Sequence, residues 1–145
     1  MTQSIDERAI GRRRSARPLT VALWVVLGIY LIGTFLTLTV AVVRSGDYGA
    51  LLAPGLERLG DPKDSIPVIG PESVWNPLFW LVALPHAIVL YFPQLPVVGL
   101  TLAGIALVVA RGRSVQAAAW AVVWVALTVL AFSPFGETLH NWLLD

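Results

Sequence analysis

The chain of 145 residues has no cysteine, a single lysine and few charged residues of any kind. Without cysteine it cannot form a disulfide scaffold or a zinc or iron–sulfur site built on thiolates. Charged residues make up only 13% of the sequence and the net charge is +1, which is too little positive charge for a nucleic-acid-binding protein. We therefore expect no nucleic-acid partner.

Motifs of catalysis and nucleotide binding are also missing. The sequence contains no Walker loop, no G-x-S-x-G elbow, no H-E-x-x-H motif and no dinucleotide-binding fingerprint. Its apolar stretches carry no set of acid, base and nucleophile. We predict that the protein is not an enzyme and that it uses no cofactor and no metal.

Apolar residues dominate what is present. They make up 57% of the chain, the mean hydropathy is +0.75, and no charged residue occurs in the intervals 18–43, 73–110 and 114–136. A soluble domain of about 150 residues still exposes roughly 30% of its unfolded-chain surface, so a core of this size cannot hide three such runs. The sequence therefore predicts an all-α, polytopic transmembrane helical bundle with the lipid bilayer as its surroundings.

The first apolar run, residues 18–43, is predicted to be transmembrane helix 1. It is too long for the apolar region of a secretory signal peptide, which spans about 7 to 15 residues. The preceding tail, residues 1–17, is basic, and the positive-inside rule places it in the cytoplasm. The tail's arginines next to the bilayer are expected to set this topology, with recognition of anionic lipid headgroups as the alternative role. They are Arg12, Arg13, Arg14 and Arg17.

Residues 44–75 are expected to form an extracytoplasmic loop. Four prolines and five glycines in this segment prevent any long helix or strand.

The interval from Val74 to Ala110 allows two solutions, because its helical length of about 55 Å is nearly twice the hydrocarbon thickness. In the first, Asn76 caps transmembrane helix 2 (residues 76–92), a tight turn follows at Pro93–Pro96, and transmembrane helix 3 occupies residues 96–110. In the second, residues 77–87 enter the outer leaflet without crossing, Pro85 breaks them, and one crossing helix starts near Ile88.

The distribution of basic residues favours the second solution, whereas the prolines favour the first. Three crossings would divide the basic residues seven inside to three outside, whereas four crossings would divide them five to five. A single crossing helix, however, would contain Pro93 and Pro96 near its middle, and each proline removes a backbone hydrogen bond. We predict four spans. Three spans plus a re-entrant or interfacial segment is the alternative.

The last apolar run, residues 114–133, is predicted to be transmembrane helix 4. Residues 134–145 are expected to form an interfacial C-terminal segment, because apolar and polar residues alternate there at helical spacing. With four spans, the C-terminus would be cytoplasmic like the N-terminus.

His86 is the one ionisable side chain inside an apolar run, and it is the main candidate for an intramembrane polar site. Thr34, Thr37 and Thr101 are its candidate partners on neighbouring helices. The expected role of His86 is structural, with its neutral imidazole bonding to a carbonyl freed by the Pro85 kink or to one of these threonines. The alternative is a site in a proton or substrate path.

Small residues at a spacing of four predict close helix contacts, since they let helix backbones approach each other in membranes. The pairs are Gly99 with Ala103 and Ala117 with Ala121. We expect this face to contact a membrane-protein partner or a second copy, although it can equally pack within one subunit. Trp124 is expected to face lipid or such a partner.

The function predicted from these features is that of a small multi-pass integral membrane protein, a non-catalytic accessory or scaffold subunit or a homo-oligomer. The alternative is a small transporter or channel subunit with His86 in its path. Arginine outnumbers lysine nine to one, which is typical of GC-rich coding sequences. On this ground the expected location is a bacterial cytoplasmic (inner) membrane.

Overall fold

The computed structural model describes residues 18–66 and 75–145. These residues form helices, turns and irregular connections and contain no strand, which confirms the predicted all-α class. The basic tail with Arg12, Arg13, Arg14 and Arg17 lies outside the described residues, so its predicted role stays a prediction.

Six α-helices follow one another along the described chain. Single turns of 3-10 helix at Tyr48–Leu51 and Pro62–Ser65 lie on either side of the second helix. The helices are α1 (Pro18–Ser45), α2 (Leu56–Leu59), α3 (Pro77–Tyr91), α4 (Leu95–Val109), α5 (Val115–Ala131) and α6 (Pro134–Leu144).

Capping residues explain where three of these helices begin. The side chains of Asn76, Ser114 and Ser133 precede α3, α5 and α6 and accept hydrogen bonds from backbone N–H groups of the first helical turn. Proline occupies the first turn of α3, α4 and α6, where its missing N–H costs nothing. These boundaries lie close to those expected from the sequence.

Helix α1 is the longest element, about 42 Å at 1.5 Å per residue. Its middle, Leu31–Leu36, is a π-helical stretch, and the helix ends at Gly46, whose φ of 71° is readily adopted only by glycine. It is the one described helix that is long and apolar enough to cross a membrane without a break.

The remaining apolar helices form two bent pairs. Helices α3 and α4 meet at 91° and helices α5 and α6 at 70°. If each bent pair counts as one span, the described chain has up to three candidate spans. The predicted four spans are not confirmed, because a helical hairpin at Pro93–Pro96 requires a near reversal of direction and the observed angle is about half of that. Helix α3 also continues through Pro85, which the alternative solution expected to be a break.

Two apolar clusters hold the helices together. One lies around Leu23 near the start of α1 and joins Ala103 of α4 to Trp120 and Trp124 of α5. Trp124 is 0% exposed, so the expectation that it faces lipid or a partner is wrong. The other cluster lies at the opposite end of α1 and joins that helix to α6. Its members include Leu38, Ala41, Val42, Leu139, Trp142 and Leu143.

The two clusters also define two ends of the molecule. At one end, Leu19 and Thr20 of α1 and Ala110 and Ser114 of the α4–α5 turn line one common cavity. At the other end, the Lys63 ammonium donates to the main-chain oxygen of Asp145 at 2.8 Å. The C-terminus therefore lies beside the connection that follows α1, away from the α4–α5 turn.

Candidate functional site

The buried polar side chains of α1 and α3 meet at the backbone carbonyl of Gly33. The imidazole Nδ1 of His86 lies 3.3 Å from this oxygen, and the Thr37 hydroxyl donates to it at 3.3 Å. A carbonyl only accepts, so His86 contributes to the contact as the tautomer that carries its proton on Nδ1. Both side chains are almost completely buried. His86 thus joins α3 to α1 through a hydrogen bond to backbone.

Gly33 permits this contact because the two helix backbones approach each other closely there. A Cβ atom at position 33 would collide with the Pro85 carbonyl oxygen and would lie 2.7 Å from Cγ2 of Val89. Gly33 lies inside the π-helical stretch, a widening of the helix that is often found at functional sites. Sequence reasoning did not single out Gly33, since a lone glycine in an apolar run carries no specific signal.

Thr34 lies next to this contact but does not join it. The hydroxyl of Thr34 is buried and has no hydrogen-bond partner among the described residues. Thr34 instead lines a cavity of about 280 Å³ between α1, the end of α5 and α6. Unlike His86 and Thr37, the predicted residue Thr34 is therefore buried without a hydrogen bond to any described part of the chain.

Thr101 lies away from the other three predicted polar residues. It is exposed on α4, and its hydroxyl donates to the Val97 carbonyl of its own helix at 2.8 Å. The structure therefore brings together His86 and Thr37, places Thr34 beside them, and leaves Thr101 outside the group.

The predicted helix-packing residues pack α4 against α5 within the same chain. Gly99 and Ala103 on α4 and Ala117 on α5 are buried, while Ala121 is half-buried. A Cβ atom at position 99 would collide with the indole ring of Trp124. Of the two roles left open for this face, the structure shows packing within one subunit.

An ion pair in the connection after α1 was not foreseen from the sequence. The guanidinium of Arg58 donates to both carboxylate oxygens of Asp47, at 2.7 Å from Nε and 2.8 Å from Nη2. The hydrogen bonds from Arg58 hold the pKa of Asp47 below its usual value. Asp47 also accepts from the Gly49 N–H and so begins the first 3-10 turn. Eleven residues separate the pair, a spacing that no local pattern marks.

Within residues 18–66 and 75–145, no three histidine or carboxylate side chains are grouped so that they could hold a metal ion. The chain matches no protein-family model, no curated protein and no solved structure.

Proposed function

We propose that this chain is a small multi-pass integral membrane protein that acts without catalysis, as an accessory or scaffold subunit or as a homo-oligomer. One observation carries this proposal: two polar side chains buried where α1 and α3 meet are bonded to backbone at a helix contact. His86 and Thr37 both donate to the Gly33 carbonyl. Hydrogen bonds of this kind fix helices against each other in lipid, where an unpaired polar group is costly.

Exposed valines on α5 support lipid as the solvent of the protein. Val115, Val122 and Val129 follow one another at intervals of seven residues and are 87%, 69% and 67% exposed. Residues seven apart lie on the same face of an α-helix. A continuous apolar stripe of this kind is unfavourable in water and favourable against acyl chains.

The proposed arrangement has three crossings, formed by α1, by the α3–α4 pair and by the α5–α6 pair. In this arrangement the N-terminus and the α4–α5 turn are cytoplasmic, while residues 46–66 and the C-terminus lie outside. Two observations support it: the α4–α5 turn lies next to the start of α1, and Asp145 is bonded to Lys63. Three crossings also agree better with the positive-inside rule than four, because they place seven basic residues inside and three outside.

The arginine-rich composition supports a bacterial cytoplasmic membrane as the location. A transporter or channel subunit with His86 in its path is the competing function. It requires a polar route that His86 shares with Thr34 or Thr101. In the structure His86 bonds to Gly33, Thr101 bonds to its own helix, and Thr34 borders a mostly apolar cavity.

The two functions are distinguished by reconstituting the protein in liposomes that contain a pH-sensitive dye. We expect no protein-dependent proton flux under an imposed pH gradient or membrane potential, and the same result for His86→Gln and for the control Thr101→Val. Flux that is present in the wild type and lost in His86→Gln alone would overturn the non-catalytic scaffold in favour of transport.

The scaffold itself is tested by the mass of the protein purified in mild detergent, measured by light scattering or native mass spectrometry. We expect an assembly of more than one chain, composed of copies of this protein or of this protein with a partner in fixed ratio. A wild type that is monomeric and without a partner in detergent and in lipid nanodiscs would contradict the proposal.

A further inference from the structure

The cavity that Thr34 lines is bordered by three irregular features of the apolar helices. The π-helical stretch of α1 contributes Thr34 and Phe35, the α3–α4 break contributes Pro93, and the α5–α6 break contributes Phe132. Irregular backbone within a membrane protein is tolerated where it is buried in protein or lines a cavity. Ligand sites of membrane proteins are often built from such broken helices.

The hydroxyl of Thr34, within the π-helical stretch, differs from those of five other threonines in the described helices. Five other helical threonines donate to the carbonyl four residues earlier: Thr37, Thr39, Thr101, Thr128 and Thr138. Thr34 does not, and it has no other partner within the described chain although it is only 3% exposed. A buried hydroxyl without a partner is unfavourable unless a further group bonds to it.

We propose that this cavity binds an uncharged amphiphile that has an apolar chain and a hydroxyl, carbonyl or ester oxygen. The walls are mainly aromatic and aliphatic, with Phe35, Phe132 and Phe135 among them, and they accommodate the apolar chain. The Thr34 hydroxyl oxygen is covered by protein in the structure, and a rotation of the side chain would turn it toward the cavity. There it both donates and accepts, so it can bond to the ligand's oxygen. The volume of about 280 Å³ is near the lower end of known small-molecule sites.

The remaining polar residues of the cavity disfavour an anionic ligand. Glu137 and His140 of α6 line it, and Glu137 is exposed to the surroundings. A carboxylate at this position repels an anionic headgroup, since like charges at close range are unfavourable. An uncharged headgroup meets no such repulsion. This inference goes beyond the proposed scaffold function and does not depend on it.

The test uses a monoacylglycerol with a photoreactive diazirine in its acyl chain, added to the full-length protein in phosphatidylcholine liposomes. We expect saturable labelling that maps to residues 30–35 and 130–143 and that excess unlabelled monoacylglycerol removes. A fatty acid with the same diazirine chain should label this region more weakly. Labelling spread evenly over the apolar helices without saturation would show bulk lipid only and would overturn the proposal, as would equal labelling by the fatty acid.

Two variants with matched controls test the residues involved. Thr34→Val should weaken the apparent affinity roughly two- to tenfold, the expected effect of one lost hydrogen bond, while the exposed Thr101→Val should leave it unchanged. Ala131→Phe should fill the cavity and remove site-specific labelling, while Ala126→Phe on the exposed face of α5 should not. Wild-type affinity in folded Thr34→Val or Ala131→Phe protein would overturn the assignment. The competition experiment on the wild type remains decisive if a variant does not fold.

Discussion

At the scale of single residues, Gly33 controls the contact between α1 and α3. It provides both the carbonyl that His86 and Thr37 bond to and the space that lets the two backbones approach. No other residue type combines these features, because any side chain at this position would displace Pro85 or Val89. The contact therefore depends on the absence of a Cβ atom.

Gly33→Ala should destabilise the protein, whereas Gly28→Ala, five residues earlier in α1, should not. A Cβ at Gly33 meets Pro85 backbone, and overpacking of this kind typically costs about 1 to 3 kcal/mol. A Cβ at Gly28 meets nothing within 4 Å, so Gly28→Ala should be neutral or stabilising by up to about 1 kcal/mol through helix propensity. Unfolding in mixed micelles, followed by circular dichroism, measures both. Equal stability of the two variants would contradict the close approach at Gly33.

For His86 the expected result depends on whether the replacement can still donate a hydrogen bond. His86→Gln should keep the fold, since its amide can donate to the Gly33 carbonyl. His86→Leu should lower the free energy of unfolding by about 0.6 to 2 kcal/mol, the range of hydrogen bonds between membrane helices. The same unfolding assay applies. If the two variants are equally stable, the bond between His86 and Gly33 contributes nothing measurable.

The ion pair of Asp47 and Arg58 should make stability depend on acid pH. Because Arg58 lowers the pKa of folded Asp47, its contribution is present above the unfolded pKa of about 3.9 and is lost as the pH falls through the folded pKa. The pair is exposed, so the effect is small. Asp47→Asn should therefore lower Tm slightly at pH 7, and this difference from the wild type should shrink as the pH falls below the unfolded pKa of about 3.9.

Glu57→Gln is the control for this pH dependence, because it removes a carboxylate of the same connection that is not part of the ion pair. We expect its Tm to follow that of the wild type across the acid range. A Tm difference between Asp47→Asn and the wild type that does not shrink with falling pH would show that the carboxylate charge is not responsible.

At the scale of elements, α4 packs against α5 through a glycine on α4 that contacts a tryptophan on α5. The indole ring of Trp124 lies directly over Gly99, and Ala103 and Trp120 continue the same contact toward Leu23 of α1. This packing uses the faces that the sequence suggested for a partner. Contacts with other chains therefore have to use the outer surfaces of these helices.

Gly99→Ala should weaken the packing of α4 against α5. Gly104→Ala on the same helix is its control. The added Cβ at Gly99 collides with Trp124, whereas at Gly104 it meets nothing within 4 Å. We expect Gly99→Ala to cost about 1 to 3 kcal/mol and Gly104→Ala to be neutral or slightly stabilising. Loss of assembly in Gly99→Ala without any loss of subunit stability would instead indicate that this face contacts another chain.

At the scale of the whole molecule, the position of the C-terminus separates the two topologies. The described contacts join α6 to the connection after α1 at two points: Lys63 donates to Asp145, and the Trp142 indole N–H donates to the Gly60 carbonyl at 3.0 Å. A chain with four crossings would place these groups on opposite sides of the bilayer. The contacts therefore favour three crossings.

Cysteine labelling in intact cells tests this arrangement without background, because the chain has no cysteine of its own. A membrane-impermeant maleimide should label Asp145→Cys and Lys63→Cys and should not label Arg113→Cys until the membrane is permeabilised. Labelling of Arg113→Cys together with protection of Asp145→Cys in intact cells would establish four crossings and exclude the proposed arrangement.

The sequence by itself determined the helical class and most helix ends. Long runs without charge require helices in lipid, and Asn76, Ser114 and Ser133 mark helix starts through hydrogen bonds to N–H groups two or three residues away. These are local interactions, so they can be predicted from neighbouring residues. His86 and Thr37 share the Gly33 carbonyl, and Thr101 lies apart from them, but no pattern in the sequence distinguishes Thr37 from Thr101.

Only the tertiary structure decided the angle between α3 and α4, the partner of His86 and the contact of Asp145 with Lys63. Each depends on contacts between residues far apart in the chain: Gly33 with His86, Gly99 with Trp124, and Lys63 with Asp145. A proline pair at positions 93 and 96 ends one helix and starts the next whether the chain reverses or turns by 91°. The difference is set by how side chains of separate helices fill the space between them, which no local pattern encodes.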